Sequence, residues 1–210
     1  MSAALALIAH DLKNALGVLE AELGVMVDAP TAAQAQSAHL HCGDLRREFV
    51  QFLTLYGAET EGLRALCEDE SPLDVLQALQ RSWRTRLARS GSELQVHVQS
   101  QESAPSFWYF DRRIVQLALD AAIHNATRFA KAHIALTVRV EGHDEGKDLV
   151  WQIIDDGPGL GSDSGCTHAT GLGTSLCEAV AQAHTLGARQ GQVSLRNAEA
   201  GGTVFEMRLP

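Results

Sequence analysis

Two long runs of apolar residues at alternating steps of three and four, interrupted once, fill the first third of this chain. Leu5, Ile8, Leu12, Ala15, Leu19 and Met26 recur with helical spacing, and Leu16 and Leu23 widen the stripe, which predicts an amphipathic helix over residues 5–26. Ala29-Pro30-Thr31 breaks it, because proline cannot continue a helix interior and biases its predecessor toward extended geometry. Ala38, Cys42, Leu45, Phe49, Phe52, Tyr56, Leu63 and Leu66 then resume the alternation, so residues 32–67 read as a second helix antiparallel to the first. A hairpin cannot bury stripes of this length internally. Pairing with a second copy into a four-helix bundle is the simplest solution, and a homodimer is expected.

One residue of the first helix lies off its stripe. His10 stands two residues from both Ile8 and Leu12, a rotation of about 200° at ~100° per residue, which points the imidazole into solvent. Asp11 flanks it and Asn14 follows one turn on, so the ring has a carboxylate and an amide within reach. His39 and His41 form an H-x-H without a third ligand and read as polar helix residues. Cys42, Cys67, Cys166 and Cys177 have no zinc-type spacing, which suits a reducing compartment. A net charge of -9 argues against nucleic acid as a partner. No apolar run approaches the ~18 residues of a membrane span and no signal-peptide pattern opens the chain, so a cytoplasmic location is expected.

The acidic, proline-containing segment Glu68-Asp69-Glu70-Ser71-Pro72 marks a change of pattern, dividing the chain into a helical hairpin, residues 1–70, and a second domain, residues 71–210. Leu76, Leu79, Trp83 and Leu87 give an apolar face to a helix over residues 73–89, ended by Ser90-Gly91-Ser92. Glu93–Gln99 alternates as a strand and Phe107–Phe110 is a short aromatic one. Asp111 is a suitable N-cap for a helix running to about Phe129. Ile134–Glu141 and Leu149–Asp155 are β-branched strands, and Gln192–Asn197 with Thr203–Leu209 form a final hairpin. The expected class is α+β: an α/β sandwich with a mixed sheet covered by helices on one face.

Three stretches of the second domain carry candidate chemistry. Asp155-Asp156-Gly157-Pro158-Gly159 follows a strand directly, so a carboxylate emerging from the core can accept from an exocyclic amine while glycine backbone approaches a ligand closely. Thr170-Gly171-Leu172-Gly173 opens into an apolar-periodic helix, Leu176–Ala183, whose N-terminal amides and positive dipole end suit phosphate. On the preceding helix, Asn125 can offer an amide oxygen to magnesium and Arg128 shares its face. Taken singly, the two glycine stretches are equally well read as tight turns, and the helix as one with a polar outer face.

The order of these motifs resembles the catalytic core of the two-component sensor histidine kinases: an exposed HDLKN on a dimerising hairpin, then NATRFA, DDGPG, TGLGTSL and a terminal GGTVFEMRLP. That family joins a dimerisation and histidine-phosphotransfer hairpin to an ATP-binding α/β sandwich of the type shared with gyrase, Hsp90 and MutL. The resemblance covers residues 3–210. It implies that His10 is the phosphoacceptor, that Asp11 takes the other ring proton, and that Asn14 orients water for dephosphorylating a partner. It implies Asn125 as the magnesium ligand, Arg128 as a phosphate contact, Phe129 as a neighbour of adenine and Asp155 as the reader of its amine. Gly157, Gly159, Gly171, Leu172 and Gly173 would shape the lid and the phosphate turn. ATP and magnesium are the implied cofactors, and a response-regulator receiver domain is the implied partner.

The chain departs from that pattern in three places. Four residues before Asn125, where the family usually has Asn and related ATPases have Glu, stands Ala121. The stretch Leu160–Thr170 lacks the phenylalanine motif of many members and implies a short ATP lid. Met1 lies nine residues before His10, so the signal is expected from a separate sensor protein. These departures give a second expectation, a histidine phosphotransfer protein with a degenerate ATP domain that relays phosphoryl groups between receivers. A third, a scaffold that docks receivers, requires an inert His10.

Overall fold

Residues 3–99, 104–143, 146–161 and 171–210 are described by a computed structural model. Helices α1 (Ala3–Asp28) and α2 (Ala32–Glu61) form the hairpin, with Thr31 capping the second by accepting from the amide of Gln34 at 3.2 Å. Ile8, Leu12 and Leu19 of α1 are buried, as its three-four alternation requires, whereas the buried residues of α2 are Ala38, Arg47, Gln51 and Leu55, of which only Ala38 belongs to the apolar stripe. Other members of the same stripes are not. Leu16, Leu23, Phe49 and Tyr56 remain exposed, joined on the surface by Val18, Val25, Val27, Val50 and Leu53. Helix α2 ends earlier than its apolar pattern suggests, because Gly62 adopts φ 77°, a left-handed conformation that only glycine takes without cost.

The chain forms two compact units, Met1–Gly62 and Leu63–Pro210. In the second unit the acidic stretch Glu68–Glu70 is a strand, β1. It pairs antiparallel with β3 (Trp108–Phe110), Glu68 opposite Phe110 and Glu70 opposite Trp108. Helix α3 (Pro72–Arg89) starts at the Ser71 cap, and β2 (Gln95–Val98) follows it. Helix α4 (Arg112–Thr127) is followed by the long strands β4 (His133–His143) and β5 (Gly146–Asp155). Helix α5 (Leu172–Ala183), the small hairpin β6 (Thr185–Leu186) and β7 (Arg189–Gln190), and the strands β8 (Gln192–Asn197) and β9 (Thr203–Leu209) complete it.

The main sheet runs β2-β4-β5-β9-β8, parallel between β2 and β4 and antiparallel elsewhere. It is the mixed sheet expected. Alternate residues of its central strand, Leu149, Trp151 and Ile153, are fully or almost fully buried, as are Leu76 and Leu79 of α3, Leu119 and Ile123 of α4 and Leu176 and Val180 of α5. Phe110 meets Trp151 edge-to-face at 5.6 Å, an arrangement the ring quadrupoles favour. Register sets what the end of β5 presents: Asp155 stands opposite Ile134 on one side and Thr203 on the other.

Asp111 does more than cap α4. Its buried carboxylate accepts from the amides of Arg113 and Ile114 at 3.0 and 3.4 Å, and also from the amide of Leu66 at 2.8 Å. Burial pushes the carboxyl up, but the Leu66 amide, the Arg113 guanidinium and the helix amides outweigh it and hold the group below the usual carboxylate range. The segment that follows Gly62 is thereby fastened to the start of α4.

Candidate functional site

In the first unit His10 is exposed, its side chain 63% accessible, with both polar neighbours at the same ring nitrogen. Asn14 Nδ2 lies 3.2 Å from His10 Nδ1, and Asp11 Oδ1 lies 3.5 Å from it. The Asn14 NH2 as placed donates to Nδ1; with the proton on Nδ1, toward the Asp11 carboxylate, that amide must turn its oxygen to the ring, and Nε2 is then bare, the geometry a nitrogen nucleophile needs.

In the second unit a cavity opens between α4, α5 and the β5-β9-β8 part of the sheet. It is lined by Asn125, Arg128, Phe129, Asp155, Gly171 and Gly173, which brings together residues from all three stretches singled out above. Its apolar walls were not legible in the sequence as part of a site: Ala122 and Ala126 from α4, Ile153 from β5, Val193 and Leu195 from β8, and Phe205 from β9. Only register against β5 selects which residues of the terminal hairpin face inward. Leu160, Thr174, Cys177 and Thr203 complete the lining. Cys177 donates its thiol to the carbonyl of Ala118 at 3.2 Å, and burial pushes its pKa up to about 12, so it acts as a small apolar residue.

Asp155 ends β5 with its side chain in the cavity and only 7% of the residue exposed. Oδ1 accepts from the amide of Gly157 at 2.8 Å, which fixes the carboxylate and leaves Oδ2 to meet a donor from a ligand. The turn that follows has no room for side chains. A Cβ on Gly157 would come within 2.7 Å of both Asp155 Oδ1 and the carbonyl oxygen of Phe129, so the DDGPG backbone lies directly against the end of α4. Gly159 is crowded by the side chain of Asn197, whose Oδ1 accepts from the amide of Leu160 at 2.6 Å.

Gly171 caps α5 in a left-handed conformation, φ 68°, and supplies no side chain to the first-turn amides. A helix start whose cap residue supplies no side chain, with Leu172 and Gly173 in its first turn, is suited to an anion. Asn125 reaches the same turn: its Nδ2 lies 3.1 Å from where a Cβ on Gly173 would stand. Ala121, one turn earlier on α4, is buried and its methyl lies 3.7 Å from that same position, so it fills the place of the usual amide with packing. Among the described residues no cluster of three His, Cys, Asp or Glu is arranged to hold a metal ion. Asn125 carries an amide oxygen of the kind magnesium accepts, an ion that needs few protein oxygens because it keeps several waters and takes phosphate oxygens. The stretch read as a short lid is described only at Leu160 and Gly161; residues 162–170 lie outside the described residues.

Residues 110–210 match the profile of the histidine kinase-, DNA gyrase B- and HSP90-like ATPase family. The sensor protein KdpD of Escherichia coli (strain K12) is 23% identical over 238 residues, an alignment that takes in 100% of this chain and 24% of that protein. KdpD of Clostridium acetobutylicum is 23% identical over 116 residues, 48% of this chain and 12% of that one. The chain thus spans about a quarter or less of the length of these curated relatives. Among solved structures, the histidine kinase AdeS of Acinetobacter baumannii superposes with a TM-score of 0.68 at 22% identity, covering 95% of this chain and 96% of that one. Full-length ShkA in complex with AMPPNP superposes with a TM-score of 0.61 at 19% identity, covering 98% of this chain and 45% of that one. No helix among the described residues is long and apolar enough to cross a membrane.

Proposed function

We propose that this chain, whose residues 110–210 form a domain of the histidine kinase-, DNA gyrase B- and HSP90-like ATPase family and whose overall fold is that of a sensor histidine kinase core, phosphorylates its own His10 from ATP and passes the group to a receiver aspartate. The observation that carries this reading is the cavity that gathers Asn125, Arg128, Phe129, Asp155, Gly171 and Gly173 around an apolar slot. A purine slides between Ile153, Phe205 and Phe129, its exocyclic amine donating to Asp155 Oδ2. The phosphates extend toward the open amides of α5, with Arg128 as their counter-charge. Magnesium, held by Asn125 and the phosphates, would neutralise charge on the transferring group.

The chemical step belongs to His10. The lone pair on Nε2 attacks the γ-phosphorus, the bond to the β,γ-bridging oxygen breaks, and ADP leaves with that electron pair. The Nδ1 proton stays toward Asp11, which stabilises the cationic ring as the N–P bond forms. A receiver carboxylate then attacks the phosphorus and the imidazole leaves. Asn14, one turn from His10, is placed to orient water for the reverse task of dephosphorylating the receiver. The exposed apolar faces of α1 and α2 form the interface of a homodimeric four-helix bundle. The reaction is cytoplasmic, where ATP is available.

Ala121 favours a second reading. With a methyl packed beneath Gly173 in place of the amide, the phosphate end of the cavity has one fewer polar group, and a relay using only the His10 hairpin explains that loss. Incubation with γ-labelled ATP and magnesium separates the two. Acid-labile label that disappears in His10→Gln supports the kinase. Absence of label, with label arriving instead from a phosphorylated receiver, supports the relay, and label from neither source leaves the scaffold. Asn14→Ala is expected to keep the label while slowing receiver dephosphorylation.

A further inference from the structure

The two aspartates of DDGPG have opposite duties. Asp155 points into the cavity, and Asp156, the next residue, points to the turn that joins α4 to β4. The amides of that turn divide cleanly between two sets of acceptors. Arg128 donates to the carbonyl of Asn125, and Phe129 and Ala130 donate to the carbonyl of Ala126, at 3.2, 3.1 and 2.8 Å. The next three amides, of Lys131, Ala132 and His133, all go to the carboxylate of Asp156: Oδ1 takes Lys131 at 2.7 Å, Oδ2 takes His133 at 3.1 Å, and Ala132 is shared between them at 3.1 Å.

Phe129 lies in the first set, two residues before the amides that Asp156 holds. Its carbonyl oxygen packs against Gly157, one residue beyond Asp156, so the same short stretch of chain grips the turn and touches the residue that turn carries. One wall of the cavity is the Phe129 ring and another is the Asp155 carboxylate, and the covalent and hydrogen-bonded path between them runs through Asp156. We propose that Asp156 is a positioning residue for base recognition: by holding the 131–133 amides it fixes the spacing between the Phe129 ring and the Asp155 carboxylate that a purine must fit. This rests on the nucleotide reading of the cavity. Burial would raise the Asp156 carboxyl, but the amides of Ala132, Lys131 and His133 outweigh it and hold the group below the usual carboxylate range, so it is a full anion at neutral pH, when charge-assisted bonds to backbone amides are strongest.

The test is a ratio of affinities, which a change in the folded fraction leaves untouched. Binding of ADP is compared with binding of the purine riboside diphosphate that lacks the 6-amino group, for the whole chain and for D156A and D156N, with thermal melts to confirm that each is folded at the working temperature. The wild-type chain is expected to prefer ADP by on the order of ten- to a hundredfold, the worth of one hydrogen bond to a charged acceptor. D156A is expected to bring that ratio to within about threefold of unity, as a misplaced acceptor loses the amine. D156N keeps one accepting oxygen and is expected to fall between the two. A folded D156A with the wild-type ratio overturns the positioning role alone. A wild-type chain that binds no ADP, or does not tell the two ligands apart, overturns the nucleotide reading and this proposal with it.

Discussion

The backbone amide of Asp111 donates to Nε2 of His184 at 3.0 Å, and the same imidazole donates from Nδ1 to the carbonyl of Val180 at 2.8 Å. Both ring nitrogens of a buried residue are thus committed, and the ring must be neutral, because a proton on Nε2 would face a donor. Burial lowers the pKa of His184 below 6.5, against the opposing pull of the Val180 carbonyl and the Asp111 charge. A folded pKa below the unfolded one contributes stability that is complete above 6.5 and drains away as the pH falls from there toward the folded value. The melting temperature is expected to drop by a few degrees between pH 7 and pH 5, and His184→Gln, which can still accept the Asp111 amide, should flatten that slope. Calorimetric melts across this range check it.

The hairpin surface predicts an oligomer. Leu53 and Val25 are about half exposed, two of a larger set of exposed apolar residues on these helices, and a charge at either has nothing to offend in an isolated hairpin. Leu53→Glu is expected to weaken self-association by at least about tenfold, since a buried unpaired carboxylate costs more than ~1.4 kcal/mol. ADP affinity should be unaltered. Light scattering over a dilution series reads the first and calorimetric titration the second.

Nucleotide-dependent and receiver-dependent labelling should separate. Asn125→Ala and Asp155→Asn are expected to lower labelling from ATP by about a hundredfold or more, because each removes a group aimed at charge or at the base. Labelling of His10 from a phosphorylated receiver should stay intact in both. If the two activities fall together, the division of labour between hairpin and cavity is wrong.

Two glycines give opposite outcomes for one substitution. Gly157→Ala puts a methyl 2.7 Å from the Phe129 carbonyl and is expected to cost about 1–3 kcal/mol of stability together with nucleotide affinity. Gly17→Ala, in the interior of α1 with nothing within 4 Å of the new methyl, is expected to gain roughly 0.5–1 kcal/mol. Denaturant melts of the two variants check both signs.

The sequence carries the parts of this molecule that depend on local pattern. The helical hairpin, the Asp111 cap and the order of glycine turns all follow from spacing along the chain, because a helix stripe or a turn is decided by residues a few positions apart. What depends on distant pairing is not there to be read. Glu68–Glu70 has the composition of a linker and is a strand only because Trp108–Phe110 lies beside it. Leu63 and Leu66 continue the apolar period of α2, yet Gly62 ends the helix before them. Likewise Val193, Leu195 and Phe205 alternate like any hairpin residues, and only the register β5-β9-β8 turns them into a cavity wall. Asp156 and Asn197 escape for the same reason: their acceptor oxygens meet amides far away in the chain.

The bond from Leu66 to Asp111 has a kinetic meaning. Only Leu63, Arg64 and Ala65 separate the glycine that ends α2 from the amide that is fastened to α4. The four steps from Gly62 to Leu66 extend by at most ~3.6 Å each, so the link between the two units is at most about 14 Å long. On the proposed kinase reading, a short link raises the effective concentration of bound nucleotide at His10, and each added residue lowers it. The carboxylate of Asp111 therefore sets a length: breaking its hold on Leu66 pays out more tether, and is expected to slow labelling of His10 from ATP by dilution alone.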